Sequence, residues 1–233
     1  MPTTFVTIPE GFRDLSKPQA VWSLKRALYG LHQSGRQWYS KLVEELVKIG
    51  FVRIPGFSCS FSLNNIAVLL FYVDDLILFA INNAILSQVI NKVSSVFNVT
   101  NLGRIQKLLG VVFDRSDGNI KLHQTGYISN LGNEFGISPN KLVKVPLPVG
   151  TVLQKPAEAE EQLSNFPYRS LVGSLLFLAT RTRPDLLFPV ILLSQFNTCF
   201  TGVHEKCLLQ VLQYACNTKS FALNLSDCVE AGA

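Results

Sequence analysis

Asp74 and Asp75 stand side by side in the most apolar stretch of the sequence, IAVLLFYVDDLILFAI over residues 66–81. Adjacent carboxylates repel one another, and a two-residue turn between strands ordinarily takes Asn-Gly or Asp-Gly, which accept positive φ. Both costs fall when a divalent cation sits between the carboxylates and an anion, since Mg2+ takes hard oxygen ligands. The competing reading is an exposed acidic loop tip. A second candidate is Gln33-Ser34-Gly35-Arg36. Backbone N–H groups at a helix start favour phosphate, Gly35 permits close approach, and Arg36 can pair with phosphate oxygens. Its alternative is a capped helix with a solvated arginine.

These side chains need elements to hold them. Two charges at the centre of a 16-residue apolar run argue against a membrane span and for two buried strands, 66–73 and 76–81, with a tight turn at Asp74-Asp75. Ser34 followed by Gln37 has capping-box spacing. Trp38, Leu42, Leu46 and Ile49 then recur at helical steps, and Gly50 suits a left-handed C-terminal position. Trp38 and Tyr39 read as helix core rather than as base-stacking platforms. Asn82-Asn83 should cap a second helix with Ile85, Val89, Val93 and Phe97 on one side. Strands at 111–115 and 120–124 flank the turn Ser116-Asp117-Gly118-Asn119, and a short helix is expected over 127–135. Residues 145–156 hold Pro146, Pro148, Gly150 and Pro156 and run into Glu158, Glu160 and Glu161, as a linker would. Leucine-rich helices are expected over 168–180, 184–196 and 203–215, with Pro184 in a first turn.

At 48% hydrophobic residues and a mean hydropathy of +0.26, the 233-residue chain must bury a core, which excludes disorder. Its net charge is +5, and eight basic against four acidic residues up to Arg53 account for most of it, which suits a polyanion partner as well as a mildly basic soluble protein. The five cysteines form neither a disulfide framework nor a zinc spacing, and His32, His123 and His204 are isolated from one another. No phosphate-binding glycine loop or serine-hydrolase elbow is present. The first ten residues lack a signal-peptide pattern, so an intracellular location, cytoplasm or nucleus, is expected.

Tyr72-Val73-Asp74-Asp75 between apolar runs resembles the catalytic hairpin of reverse transcriptases. The block from Leu24 through Tyr39, LKRALYGLHQSGRQWY, is similar to the segment that precedes this hairpin in the Ty1/copia class of LTR retrotransposons. Pro9-Glu10-Gly11-Phe12, Asn101-Leu102-Gly103, Tyr168-Arg169-Ser170-Leu171-Val172-Gly173 and Arg183-Pro184-Asp185-Leu186 resemble the same family in the same order.

The resemblance implies an α+β chain: a partial polymerase palm of antiparallel strands with packed helices over 1–144, a proline-containing linker over 145–163, and a helical thumb or connection segment over 164–233. It implies transfer of a nucleotide from a dNTP to a primer 3′-hydroxyl with two metal ions, RNA template and DNA primer as partners, and Mg2+ or Mn2+ as cofactor. Asp74 and Asp75 would be the metal ligands. Gln33, Ser34, Gly35, Arg36 and Tyr72 would contact nucleotide or template, Lys25, Arg26 and Lys41 the nucleic-acid backbone. Leu122, His123 and Gln124 occupy a primer-grip-like position, where a strand end and helix cap is the alternative. The family's third metal-binding Asp precedes Pro-Glu-Gly-Phe, whereas residues 1–8 hold no Asp. That carboxylate, the fingers and the first palm strand are therefore expected to be missing, the cation only weakly held and the chain inactive alone, unless an upstream fragment supplies them. Ribonuclease H activity is not expected. The alternative function is a non-catalytic nucleic-acid-binding or inert mobile-element remnant.

Overall fold

The computed structural model describes residues 4–14, 16–17, 19–116, 119–155 and 165–225. The chain forms two compact units, Met1–Leu102 and Gly103–Ala233.

The first unit opens with strand β1 (Thr4–Thr7), antiparallel to β2 (Val21–Leu24) with Thr4 opposite Leu24. Helix α1 (Ser34–Ile49) follows, ending where the spacing predicts: Gly50 takes φ 106° and its N–H reaches the Leu46 and Val47 carbonyls. Its start differs from the expected capping box. Gln33 is the N-cap, no side chain caps the helix, and the Ser34 hydroxyl donates instead to the Leu28 carbonyl. The Gln37 N–H that a Ser34 cap would have taken donates instead to the Gln33 carbonyl, so the helix begins one residue earlier.

Strands β3 (Val52–Arg53), β4 (Ser60–Leu63), β5 (Ala67–Tyr72) and β6 (Asp75–Ala80) form an antiparallel sheet in that order. Alternation along β4 and β5 buries Phe61, Leu63, Ala67, Leu69 and Phe71 on one face. They join Leu42 and Leu46 of α1 and Val89 and Val93 of helix α2 (Asn83–Ser94) in one core. Asn82 caps α2 as expected, its side-chain oxygen accepting from the Ile85 N–H at 2.9 Å.

In the second unit β7 (Lys107–Leu108), β8 (Val111–Asp114) and β9 (Lys121–His123) are antiparallel neighbours, and helix α3 (Thr125–Glu134) leaves the sheet. Helix α4 (Tyr168–Arg181) follows. Pro184 starts a separate 3-10 turn, Pro184–Leu186, so the expected single helix becomes this turn plus α5 (Leu187–Ser194). Helix α6 (Gly202–Asn217) precedes β10 (Leu223–Asn224), which pairs with β9 across the sheet edge, Leu223 opposite Leu122. Ile128 and Leu131 of α3 share a core with Leu171, Leu175 and Leu178 of α4 and Leu208, Val211 and Leu212 of α6, so residues from within the 1–144 stretch pack with the C-terminal helices.

Arg183 is buried in this unit, 1% exposed. Its guanidinium grips Asp185 with two bonds, Nε to Oδ1 at 2.9 Å and Nη2 to Oδ2 at 2.7 Å, and donates to the Thr218 carbonyl and hydroxyl. It also lies over the rings of Tyr214 and Phe221. The arginine thus ties the α4–α5 corner to the end of α6.

The architecture is mixed α and β, with antiparallel sheets and six α-helices among the described residues, in agreement with the expected α+β class. The turn residues Asp117 and Gly118 and linker residues 156–163 lie outside the described residues. Among the described residues no helix is long and apolar enough to cross a membrane.

Candidate functional site

The two aspartates sit at the β5–β6 connection, but not both in its turn. Tyr72 pairs with Asp75 as Phe71 pairs with Leu76, so the ladder runs one step further than the expected Asp74-Asp75 turn allows. The two loop residues are Val73 and Asp74, and Asp75 is the first residue of β6. Val73 takes φ 55°. A β-branched residue in this left-handed region costs roughly 1–2 kcal/mol, so something must hold it there. Trp38 does so from α1, its indole Nε1–H donating to the Val73 carbonyl at 3.1 Å. The Trp38 ring meets the edge of Phe97 yet stays 42% exposed, so it is a strut for the turn more than the core residue its helical spacing suggests. Tyr39 fits its core reading: it packs beside Phe71 and its hydroxyl donates to the Ser58 carbonyl.

Asp74 is engaged by Tyr29. The phenol lies 2.7 Å from Oδ1 and 2.8 Å from Oδ2, so its single hydrogen is shared between both carboxylate oxygens. The hydrogen bond to Asp74 raises the Tyr29 phenol above its ordinary pKa, assisted by some desolvation and by the carboxylate's charge. Asp75 is exposed, and its carboxylate has no hydrogen bond or ion pair among the described residues.

Two exposed carboxylates, Asp74 in the loop braced by Trp38 and Asp75 at the start of β6, suit a hard divalent cation, because Mg2+ commonly takes one or two protein carboxylates and completes its shell with water and substrate phosphates. Asp74 and Asp75 are the residues that would hold it. Among the described residues no group of three or more His, Cys, Asp or Glu side chains gathers at one point.

The other candidates are distributed differently. The Gln33 amide donates to the Thr4 hydroxyl at 2.8 Å, tying the start of α1 to β1, and the Ser34 hydroxyl is taken by Leu28. Gly35 and Arg36 are exposed on the first turn of α1, and Tyr72 is exposed opposite Asp75. Lys25 and Arg26 are exposed in the segment that carries Tyr29. Lys41 pairs with Glu44 and Glu45, which Lys48 also contacts, so its charge is locally compensated. Hydrogen bonds from these lysines hold both glutamates below the usual carboxylate range.

Leu122, His123 and Gln124 belong to the second unit. The His123 Nδ1 faces the Thr125 hydroxyl at 2.9 Å at the start of α3, and Gln124 is buried with Oε1 accepting from the Thr182 hydroxyl. Its Nε2 has no hydrogen-bond partner among the described residues. Tyr29 and Trp38 are the residues at the aspartate turn that types and spacing did not single out for this role. The one available signal was their place in the LKRALYGLHQSGRQWY block.

A family model described as reverse transcriptase (RNA-dependent DNA polymerase) matches residues 2–149. The chain is 33% identical over 225 residues to a putative transposon Ty5-1 protein of Saccharomyces cerevisiae, spanning 94% of this chain and 72% of that protein. It is 31% identical over 217 residues to the retrovirus-related Pol polyprotein from transposon TNT 1-94 of Nicotiana tabacum, spanning 88% of this chain and 16% of the polyprotein. With the Pol polyprotein from transposon RE1 of Arabidopsis thaliana the identity is 32% over 232 residues, 95% of this chain and 15% of the polyprotein. The chain therefore corresponds to a small part of those polyproteins. No solved structure matches it.

Proposed function

The chain belongs to the reverse transcriptase (RNA-dependent DNA polymerase) family, in its copia-type retrotransposon branch, and from that premise we propose that it is the part of an RNA-directed DNA polymerase that carries the double-aspartate hairpin. The observation that carries the reading is the β5–β6 connection, where Asp74 in the loop and Asp75 at the start of β6 are both exposed and Trp38 braces the Val73 backbone. The two carboxylates would bind Mg2+ or Mn2+. When bound, the cation supplies Lewis-acid activation of the primer 3′-hydroxyl and neutralises charge on the dNTP phosphates.

The remaining roles follow from position. Gly35 and Arg36, on the first turn of α1, would contact phosphate, and Tyr72 would lie beside the nucleotide. Lys25 and Arg26 would follow the nucleic-acid backbone, with Lys41 a weaker contributor because Glu44 and Glu45 neutralise it. Leu122, His123 and Gln124 would form the primer-grip-like strand end. In this reading residues 1–144 are palm, 145–163 a linker and 164–233 a thumb or connection, and RNA template, DNA primer and dNTP are met inside the cell. A third carboxylate and the fingers would come from an upstream segment. Without it the cation's charge is under-compensated, so the 233-residue chain alone should extend no primer. Primer extension on an RNA template with Mg2+ or Mn2+ is the test, with the chain alone and mixed with a segment bearing fingers and a third Asp. Gain only on mixing supports the proposal; robust incorporation by the chain alone refutes the inactivity, and no gain on mixing refutes the complementation.

A second reading, nucleic-acid binding without catalysis, is favoured by Lys25, Arg26 and Arg36, exposed and without ion pairs among the described residues. It predicts salt-sensitive binding to a primer–template duplex that survives Asp74→Asn with Asp75→Asn. No binding at low salt would leave an inert remnant.

A further inference from the structure

The hydroxyl of Tyr29 lies against both Asp74 oxygens, the same acceptor atoms that a cation would take. Tyr29 is 80% exposed, so packing does not keep it there; the shared hydrogen bond does. The turn itself does not depend on Tyr29, because Trp38 holds the Val73 carbonyl independently from α1. Beside Tyr29, Gly30 takes φ 91°, a conformation that L side chains rarely adopt, although a Cβ there would meet nothing within 4 Å. The glycine is thus required for backbone direction rather than for space.

We propose that Tyr29 is a displaceable cap on Asp74: the phenol keeps the carboxylate oriented while no cation is bound and leaves when one arrives. The inference rests on Asp74 being a cation ligand. Trp38 and Tyr29 divide the work, one fixing where the backbone of the turn lies and the other competing for the carboxylate's lone pairs. Because the competition is reciprocal, cation occupancy and the position of the segment after β2, which carries Lys25 and Arg26, are coupled. Tyr29 is therefore a positioning residue, not a catalytic one.

The test is Mn2+ binding to the full chain, followed by electron paramagnetic resonance, with amide hydrogen exchange over residues 28–34 as the second readout. Tyr29→Phe keeps the ring and removes only the hydroxyl, so Mn2+ should bind about fivefold to tenfold more tightly than to the wild type. Exchange over 28–34 should quicken on adding Mn2+ to the wild type, and should be fast and cation-independent in the variant. Asp74→Asn separates the two claims. Binding that this variant leaves unchanged, or no binding in any variant, overturns the metal-site reading and the cap with it. Binding that Asp74→Asn abolishes but Tyr29→Phe does not tighten overturns the cap alone, as does wild-type exchange that Mn2+ leaves unaltered.

Discussion

Replacing Arg183 with alanine should destabilise the second unit more than any exposed charge substitution in the chain. The guanidinium is 1% exposed, makes four hydrogen bonds to Asp185 and Thr218, and lies over two aromatic rings. Removing one partner of a buried pair costs about 3–5 kcal/mol, because the other charge is left without compensation. The Asp185 side chain is 36% exposed and would recover some hydration, which moves the expectation to the lower part of that range, about 3–4 kcal/mol. With a urea slope of about 2 kcal/mol/M, the unfolding midpoint should fall by roughly 1.5–2 M. Far-UV circular dichroism in a urea series measures this directly. Arg183→Lys should recover only part of the loss, since an ammonium cannot reproduce two parallel bonds to one carboxylate. A midpoint within about 0.5 M of the wild type for Arg183→Ala would refute the reasoning, because such a shift falls below the cost of leaving even one buried group unpaired.

The same pair sets an acid limit. Burial pushes the Asp185 carboxyl up, but the hydrogen bonds and charge of Arg183 outweigh it and leave it below its ordinary value. The folded state then binds this proton less readily than the unfolded state, so the contribution is complete above the ordinary carboxylate range and is lost as pH falls through the folded value. Arg183→Ala should flatten the acid side of a stability–pH curve, and an unchanged curve would contradict the pairing. At the aspartate turn, Val73→Gly relieves roughly 1–2 kcal/mol of left-handed strain against about 0.4–1 kcal/mol of added chain entropy, so it should raise the thermal midpoint by about 2–3 °C; a fall would count against strain at φ 55°. A Cβ at Gly132 would come within 2.7 Å of the Cys216 sulfur. Gly132→Ala should therefore cost about 1–2 kcal/mol in the wild type but stabilise by about 0.5–1 kcal/mol in a Cys216→Ala background, and the same sign in both, read by urea melts, would show that the sulfur is not the obstacle.

What could be read in advance was what is decided locally. Gly50 ends α1 and Asn82 starts α2 through their own backbone preference and side-chain oxygen, so both boundaries were legible. The apolar runs around the aspartates fixed two strands, but the turn was displaced by one residue because register is set by the pairing of Tyr72 with Asp75 and by a valine in a conformation its own preference opposes. Strand β4 carries a period-two pattern, Ser60-Phe61-Ser62-Leu63, too short to stand out. Strand β1 alternates in burial but turns its Phe5 outward, and β2 leaves Val21 and Trp22 exposed, so neither carries an inward hydrophobic face to read. At the site, the aspartates announced themselves by residue type. The hold of Tyr29 on Asp74 and of Trp38 on Val73 joins positions 45 and 35 residues apart and exists only after folding. Gln33 shows the converse: a side chain of suitable type for phosphate spends its amide on Thr4.

The pairing of β10 with β9 bears on how the chain is made. Leu223 and Asn224 close onto Leu122 and Lys121, and the Leu225 N–H onto the Ile120 carbonyl, so β9 must wait for about a hundred further residues before its outer edge is covered. At a synthesis rate of about 5–20 residues per second, that edge is exposed on the ribosome for roughly 5–20 s. For about the first half of that interval Ile128 and Leu131 also lack the α4 side chains that bury them, and for most of it those of α6. The second unit therefore cannot complete its sheet and core until its last elements have been synthesised.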